Sequence, residues 1–171
     1  NAEYNNALKY YNDILSKDKN TYVALYNKAI TQTALGDYDN AITIYNQLLK
    51  VDDEKLHESK IDKNDIKNDV FETKIKIAQK LLNDGEYRKS KAIYSTLLEQ
   101  KEDYRVYLGM AENCYNLGMY SYAKNYYEQT LQFENRNADV YVKYAQVLFE
   151  LKDYDTADAV LDKALELNKE D

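Results

Sequence analysis

Residues 35–49 read LGDYDNAITIYNQLL. Leu35 closes an apolar-periodic stretch, Gly36 tolerates the positive φ that stops a helix, and Asp37 places negative charge near the N-terminus of the next one. From Tyr38 onward, Tyr38, Ala41, Tyr45 and Leu49 fall at spacings of three, four and four, which puts them on one face of a helix. The stretch is therefore the hinge of a helix–turn–helix hairpin.

The same pattern runs through the chain. Tyr4, Tyr38, Tyr87, Tyr120 and Tyr154 each precede a small residue by three: Ala7, Ala41, Ser90, Ala123 and Ala157. Seven residues after each tyrosine stand Tyr11, Tyr45, Tyr94, Tyr127 and Leu161; eleven after stand Leu15, Leu49, Leu98, Leu131 and Leu165. Gly36, Gly85 and Gly118 lie two residues upstream, with Lys152 in that place in the last copy and Ala2 in the first. Ala29, Ala78, Ala111 and Ala145 lie nine upstream. Copies recur at 34, 49, 33 and 34 residues, so one interval carries an insertion of 15 residues at 56–70. A period of this size marks stacked supersecondary units rather than a single globular core.

On these residues the chain resembles the tetratricopeptide repeat (TPR) proteins. The resemblance implies an all-α fold: antiparallel helix hairpins stacked into a right-handed superhelix, read as one array over 1–171. The expected units are 22–55, 71–103, 104–137 and 138–171, with 1–21 as the second helix of a truncated repeat and hence part of a longer array or a larger protein. The pattern departs from the family where Pro is usual near the end of each unit, because Lys19, Asp53, Glu102, Asn135 and Lys169 stand there. The large aromatic near the start of the first helix survives only as Tyr107 and Tyr141; Leu25 and Lys74 replace it elsewhere. The insertion is charged and sparsely apolar, and reads as a solvated loop or as an extension of its neighbouring helices. Its lack of Gly and Pro favours the extension.

The resemblance also implies a protein-binding groove lined by repeat positions two, five, nine, twelve and thirteen of the first helices. Carried over, these are Val23, Tyr26, Ile30, Thr33 and Ala34 in the first full unit, and Glu72, Ile75, Gln79, Leu82 and Asn83 in the second. The third unit contributes Arg105, Leu108, Glu112, Tyr115 and Asn116, and the fourth Asp139, Val142, Gln146, Phe149 and Glu150. Such a stripe, apolar and aromatic with amides and carboxylates at its edge, suits an extended or helical peptide with apolar anchors. It does not match the family's clamp for a C-terminal carboxylate: Tyr26 and Ile30 fill the first two clamp places, Lys76 and Gly109 stand where Asn and Arg are wanted, and Arg105 alone fits.

Composition narrows the function classes. With 23 Lys and Arg against 30 Asp and Glu, the net charge is −7, and the chain lacks the cationic surface that drives non-specific nucleic-acid binding. Apolar runs are short, so no direct membrane insertion is expected, and no targeting segment is seen; the sequence does not fix the compartment, for which the resemblance implies the cytoplasm or the bacterial periplasm. Twenty Lys against three Arg, with 17 Asn, suggest an AT-rich, bacterial genome. The single cysteine, Cys114, reads as a core filler, and the single histidine, His57, as a solvated residue without an orienting partner. No metal-ligand spacing, phosphate loop or nucleophile arrangement stands out, so the expectation is a chain without enzyme activity, metal or cofactor.

Two functions follow from this reading. The first is a non-catalytic scaffold or adaptor that binds a peptide or helix of a partner protein in the groove. The alternative is an assembly subunit that docks through its open ends, either with itself, as a homodimer through the truncated N-terminal repeat, or into a larger membrane-associated complex. Nine acidic residues against four lysines give 138–171 a net charge of −5, whereas 71–103 is about +1. The acidic end is either a solvated outer face or a surface that steers a basic partner.

Overall fold

The structure, a computed structural model, describes residues 2–170; Asn1 and Asp171, the outermost residues of the first and last expected units, lie outside the described residues. Among the described residues the chain is all-α. The helices are α1 (Ala2–Lys17), α2 (Tyr22–Leu35), α3 (Tyr38–Leu48), α4 (Asp53–Glu58), α5 (Lys63–Asn83), α6 (Tyr87–Leu98), α7 (Tyr104–Asn116), α8 (Tyr120–Phe133), α9 (Ala138–Glu150) and α10 (Tyr154–Glu170).

The hinges share one geometry. Gly36, Gly85 and Gly118 adopt φ of 82°, 79° and 71°, and Lys152 takes the same left-handed conformation at 63°. The next amide then closes back over the helix end: Asp37 N donates to Gln32 O at 2.9 Å, Glu86 N to Leu81 O at 2.8 Å, Met119 N to Cys114 O at 2.8 Å and Asp153 N to Leu148 O at 2.9 Å. This is the six-to-one closure of a Schellman stop, which satisfies the orphan carbonyls and turns the chain at once into its return helix.

The chain divides into two compact units, residues 1–74 and 75–171, with α5 contributing to each. In the first, α1 packs on α2 and α2 on α3. Its core is Leu25, Ala29, Ala41, Tyr45 and Leu48, joined by Leu56, Ile61 and Ile66 from the stretch 56–70. That stretch is helical over most of its length. It ends α4, closes with Ile61 N donating to Leu56 O at 2.9 Å around left-handed Lys60, and supplies the first turns of α5, which starts eight residues ahead of Phe71. Its three buried apolar residues hold it down, each large aliphatic side chain contributing about 1.5–3 kcal/mol on burial.

In the second unit α6 packs on α7, α7 on α8, α8 on α9 and α9 on α10. Its core runs from Ala111, Cys114, Ala123 and Tyr127 to Tyr144, Val147 and Leu148. The small residues of the repeat, Ala78, Ser90, Ala111 and Ala123, are fully buried, which lets backbones approach while Tyr94 and Tyr127 fill the space beside them. Asp103 and Asn137 cap α7 and α9 by accepting from Arg105 N and Asp139 N.

Candidate functional site

In the first unit Tyr26 is half-buried and already committed: its hydroxyl donates to Asp69 Oδ2 at 2.7 Å and its ring meets Tyr45 edge-on, centroids 6.3 Å apart. Burial and the Asp69 carboxylate push the Tyr26 phenol well above its ordinary pKa. Val23 and Ile30 on the same helix are exposed, and Thr33 and Thr73 share a hydroxyl hydrogen bond at 3.2 Å. Tyr26 is thus as much a tie between α2 and α5 as a contact surface.

The second unit holds the remaining candidates. Gln79 is exposed; it donates to Asn83 Oδ1 at 3.1 Å and accepts from the Tyr94 hydroxyl at 3.3 Å. Ile75 and Leu108 are half-buried, Leu108 against the core. Arg105 sits at the start of α7, where Nε and a terminal nitrogen grip the Asp103 carboxylate at 3.0 and 2.7 Å. That fork holds the Asp103 carboxyl below the usual carboxylate range. Arg105 is therefore occupied in fixing its own helix cap.

Farther along α7, Glu112 pairs with Lys143 of α9, and Tyr115 lies tilted against Tyr120 at 5.7 Å. Around these groups a hollow of about 310 Å³ opens, lined among others by Asn83, Glu112, Tyr115, Asn116, Lys143 and Gln146. Its floor is aromatic and its edge is amide and charge, so it offers donors and acceptors to a peptide backbone beside a surface for one apolar side chain.

Val142, Gln146 and Phe149 border a second hollow, of about 450 Å³, between α9 and α10. Here Phe149 meets Tyr154 edge-on at 5.3 Å, and Leu161 of α10 completes an apolar wall. Lys143, Tyr154 and Leu161 were not among the residues carried over from the family pattern, because that pattern follows first-helix positions facing one groove. The 34-residue shift that relates Tyr154 to Tyr120 and Leu161 to Tyr127 was the available signal.

Other conspicuous residues do not form a site. Cys114 is fully buried, and burial raises its thiol pKa, so the reactive thiolate is disfavoured. His57 lies exposed on α4. Among the described residues no cluster of His, Cys, Asp and Glu has metal-binding geometry, and no helix is long and apolar enough to cross a membrane.

Comparison with known proteins agrees with the hairpin geometry. Comparison with curated proteins gives no match. Among solved structures the chain is similar to "Crystal structure of MamA" (15% identity, TM-score 0.68), over 99% of this chain and 91% of that one. It is similar to "MamA 41-end from Desulfovibrio magneticus RS-1" (17% identity, TM-score 0.66) over 98% and 86%. A third, "MamA RS-1 ArsTM double mutant", aligns at 16% identity and TM-score 0.68 over 99% and 87%. At such identities the likeness is one of fold. Two family models described as tetratricopeptide repeat match residues 23–53 and 115–171, together more than half of the sequence. With the in-phase hinges and buried small residues, these matches show that the chain belongs to the tetratricopeptide repeat family.

Proposed function

We propose that this chain is a non-catalytic interaction scaffold and that the α7–α9 hollow of its second unit holds an extended or helical peptide of a partner protein. The observation that carries the reading is the grouping of Asn83, Asn116 and Gln146 with the Glu112–Lys143 pair around Tyr115. Side-chain amides present a donor and an acceptor each, which matches the alternating groups of a peptide backbone. Tyr115 supplies contact area at low entropic cost. Binding through such a surface needs no reacting group.

The test is affinity capture from native lysate by the parent chain and by an Asn83→Ala/Gln146→Ala variant, both residues being exposed. A partner retained by the parent and lost by the variant, with unchanged circular dichroism and melting, is the expected result. Equal recovery by both removes this hollow as the binding surface. If instead the chain recovers only itself, and its mass in sedimentation rises with concentration, the assembly role takes its place.

A further inference from the structure

A hollow of about 380 Å³ lies between α6 and the α7–α8 hinge, lined by Arg88, Lys91, Ala92, Ser95, Leu117 and Met119. All six residues belong to the second unit, with α5 before them in the chain and α8 to α10 after, so the hollow owes nothing to an open end of the array. Arg88, Lys91, Ala92 and Ser95 follow spacings of three, one and three, which makes them one stripe of α6. Arg88 is exposed and Lys91 half-buried, and among the described residues neither side chain forms an ion pair or a hydrogen bond. Lys89 beside them is already paired, with Glu86 at 3.1 Å.

Two departures from the repeat meet at this hollow. At the four places of the α6 stripe, α1 carries one charge, Lys9, and α3 carries Asp39. In α8 the same places hold Lys124 and Glu128, 4.0 Å apart, and in α10 they hold Asp155, Asp158 and Asp162. Only α6 puts two cations there and no acid. The hinge that faces this stripe has changed as well: the residue after the left-handed one is Asp37, Glu86 and Asp153 at the other three hinges, and Met119 here. The helix dipole favours an acid at that place and disfavours a cation such as Arg88 in the first turn of α6. Both departures run against helix stability, and both strip negative charge from the same hollow. An anionic occupant accounts for them together. The chain as a whole carries −7, which repels an extended polyanion such as a nucleic acid or an anionic bilayer, while a short segment is held by local charge. Ala92, Leu117 and Met119 add an apolar wall that a bare phosphate leaves unused and that one aliphatic or aromatic side chain fills.

We propose that the hollow between α6 and the α7–α8 hinge binds a short acidic segment of a partner protein, one apolar side chain entering against Ala92, Leu117 and Met119 while flanking carboxylates pair with Arg88 and Lys91. The hollow shares no lining residue with the α7–α9 surface, so the two readings fail separately.

The probes are end-blocked heptapeptides labelled for fluorescence anisotropy, in which a central Leu, Phe or Met is flanked on each side by two glutamates and a terminal glycine. Matching peptides carry glutamine for glutamate. At low salt the best acidic peptide is expected to bind at least about tenfold more tightly than its glutamine counterpart, the advantage shrinking as salt rises. Arg88→Gln/Lys91→Gln lowers that affinity by at least about tenfold, and so does Met119→Asp, which gives this hinge the acid of the other three. Asn83→Ala/Gln146→Ala leaves it unchanged. Circular dichroism checks the fold of each variant, and if Met119→Asp does not fold, Arg88→Gln/Lys91→Gln decides alone. No binding by any acidic peptide, equal affinity of the acidic and glutamine peptides, or binding indifferent to Arg88 and Lys91 overturns the proposal. Tighter binding of inorganic phosphate or of a short RNA through the same two cations overturns it in favour of a phosphate ligand. Self-association that Arg88→Gln/Lys91→Gln removes and the acidic peptides do not displace overturns it in favour of a second copy.

Discussion

The ring of Tyr94 occupies the space that a side chain at Gly109 would take: a Cβ built on Gly109 would fall against Cζ and both Cε atoms of that ring. Tyr94 is 1% exposed and holds α6 against α7, so the ring has no room to retreat. Gly109 lies inside a helix, where alanine is ordinarily favoured by about 1 kcal/mol. Overpacking a filled core costs about 1–3 kcal/mol, which outweighs that gain. Gly109→Ala is therefore expected to lower the unfolding free energy by about 1–2 kcal/mol in urea titration. In a double-mutant cycle with Tyr94→Leu, which removes the ring, the alanine becomes neutral or favourable. Additive effects would show that the ring is not what excludes the side chain.

A second prediction concerns the buried polar contact between α6 and α7. Ser90 Oγ donates to Ala78 O at 2.8 Å and accepts from Asn113 Nδ2 at 2.8 Å, and the same Nδ2 reaches Gly109 O at 2.7 Å. One unit later the same two places hold Ala123 and Val147, both buried, so the fold already contains an apolar solution to this packing. Ser90→Ala alone strips a buried amide of a partner and is expected to cost about 1–2 kcal/mol. Ser90→Ala/Asn113→Val recovers most of that loss, because no orphaned polar group remains. Thermal melts of the single and double variants check the order.

The hairpins, the hinges and the buried small residues were legible because they repeat: one Gly at positive φ is ambiguous, but Gly36, Gly85 and Gly118 in phase with tyrosines are not. The role of 56–70 was less legible. Leu56, Ile61 and Ile66 are too widely spaced to form a helical stripe by themselves, and all three are buried in one core cluster with residues far from them in sequence, such as Leu25 and Ala29. The candidate site was legible as a set of positions but not as chemistry. Nothing in the spacing told that Asp69 would take the Tyr26 hydroxyl, that Asp103 would take the Arg105 guanidinium, or that Lys143 would cross to Glu112. Tyr26 and Asp69, and Glu112 and Lys143, sit at separations that no helical period links, and their pairing across helices is decided by packing; Asp103 and Arg105 are two residues apart, and their pairing depends on the rotamers taken at the cap.

The tyrosine content makes the protein sensitive to alkali. Burial raises Tyr94 to about 12, and burial, aided by nearby carboxylates such as Asp69 for Tyr26 and Glu128 for Tyr144, raises Tyr26, Tyr127 and Tyr144 further. Each folded-state value lies above the unfolded value near 10, so the folded protein holds these protons more tightly. Their contribution is complete below about pH 10 and declines as pH rises, at up to about 1.4 kcal/mol per pH unit for each tyrosine that stays protonated in the fold. The part of the tyrosinate absorbance that belongs to these four buried side chains is therefore expected to appear together with the loss of helical circular dichroism, in one cooperative step above about pH 10. Tyr144→Phe loses the Glu128 hydrogen bond and is less stable at neutral pH by about 1 kcal/mol, yet its stability falls less steeply in alkali. Helix loss without an accompanying step in tyrosinate absorbance would contradict this.

The α9–α10 hinge should be improvable. Lys152 stands at φ 63°, in the place where the other family hinges have Gly36, Gly85 and Gly118. A non-glycine residue held left-handed costs about 1–2 kcal/mol, partly offset by the greater freedom that glycine loses on folding. The Schellman closure, Asp153 N to Leu148 O at 2.9 Å, involves only backbone and survives the change. Lys152 is exposed and enters no ion pair among the described residues, so little else is lost. Lys152→Gly is expected to raise the unfolding free energy by about 0.5–1 kcal/mol, whereas Gly118→Lys, the reverse exchange at the preceding hinge, lowers it by a similar amount. Chemical denaturation of the two variants against the parent measures both signs, and matching signs would mean that the hinge conformation is not what sets these energies.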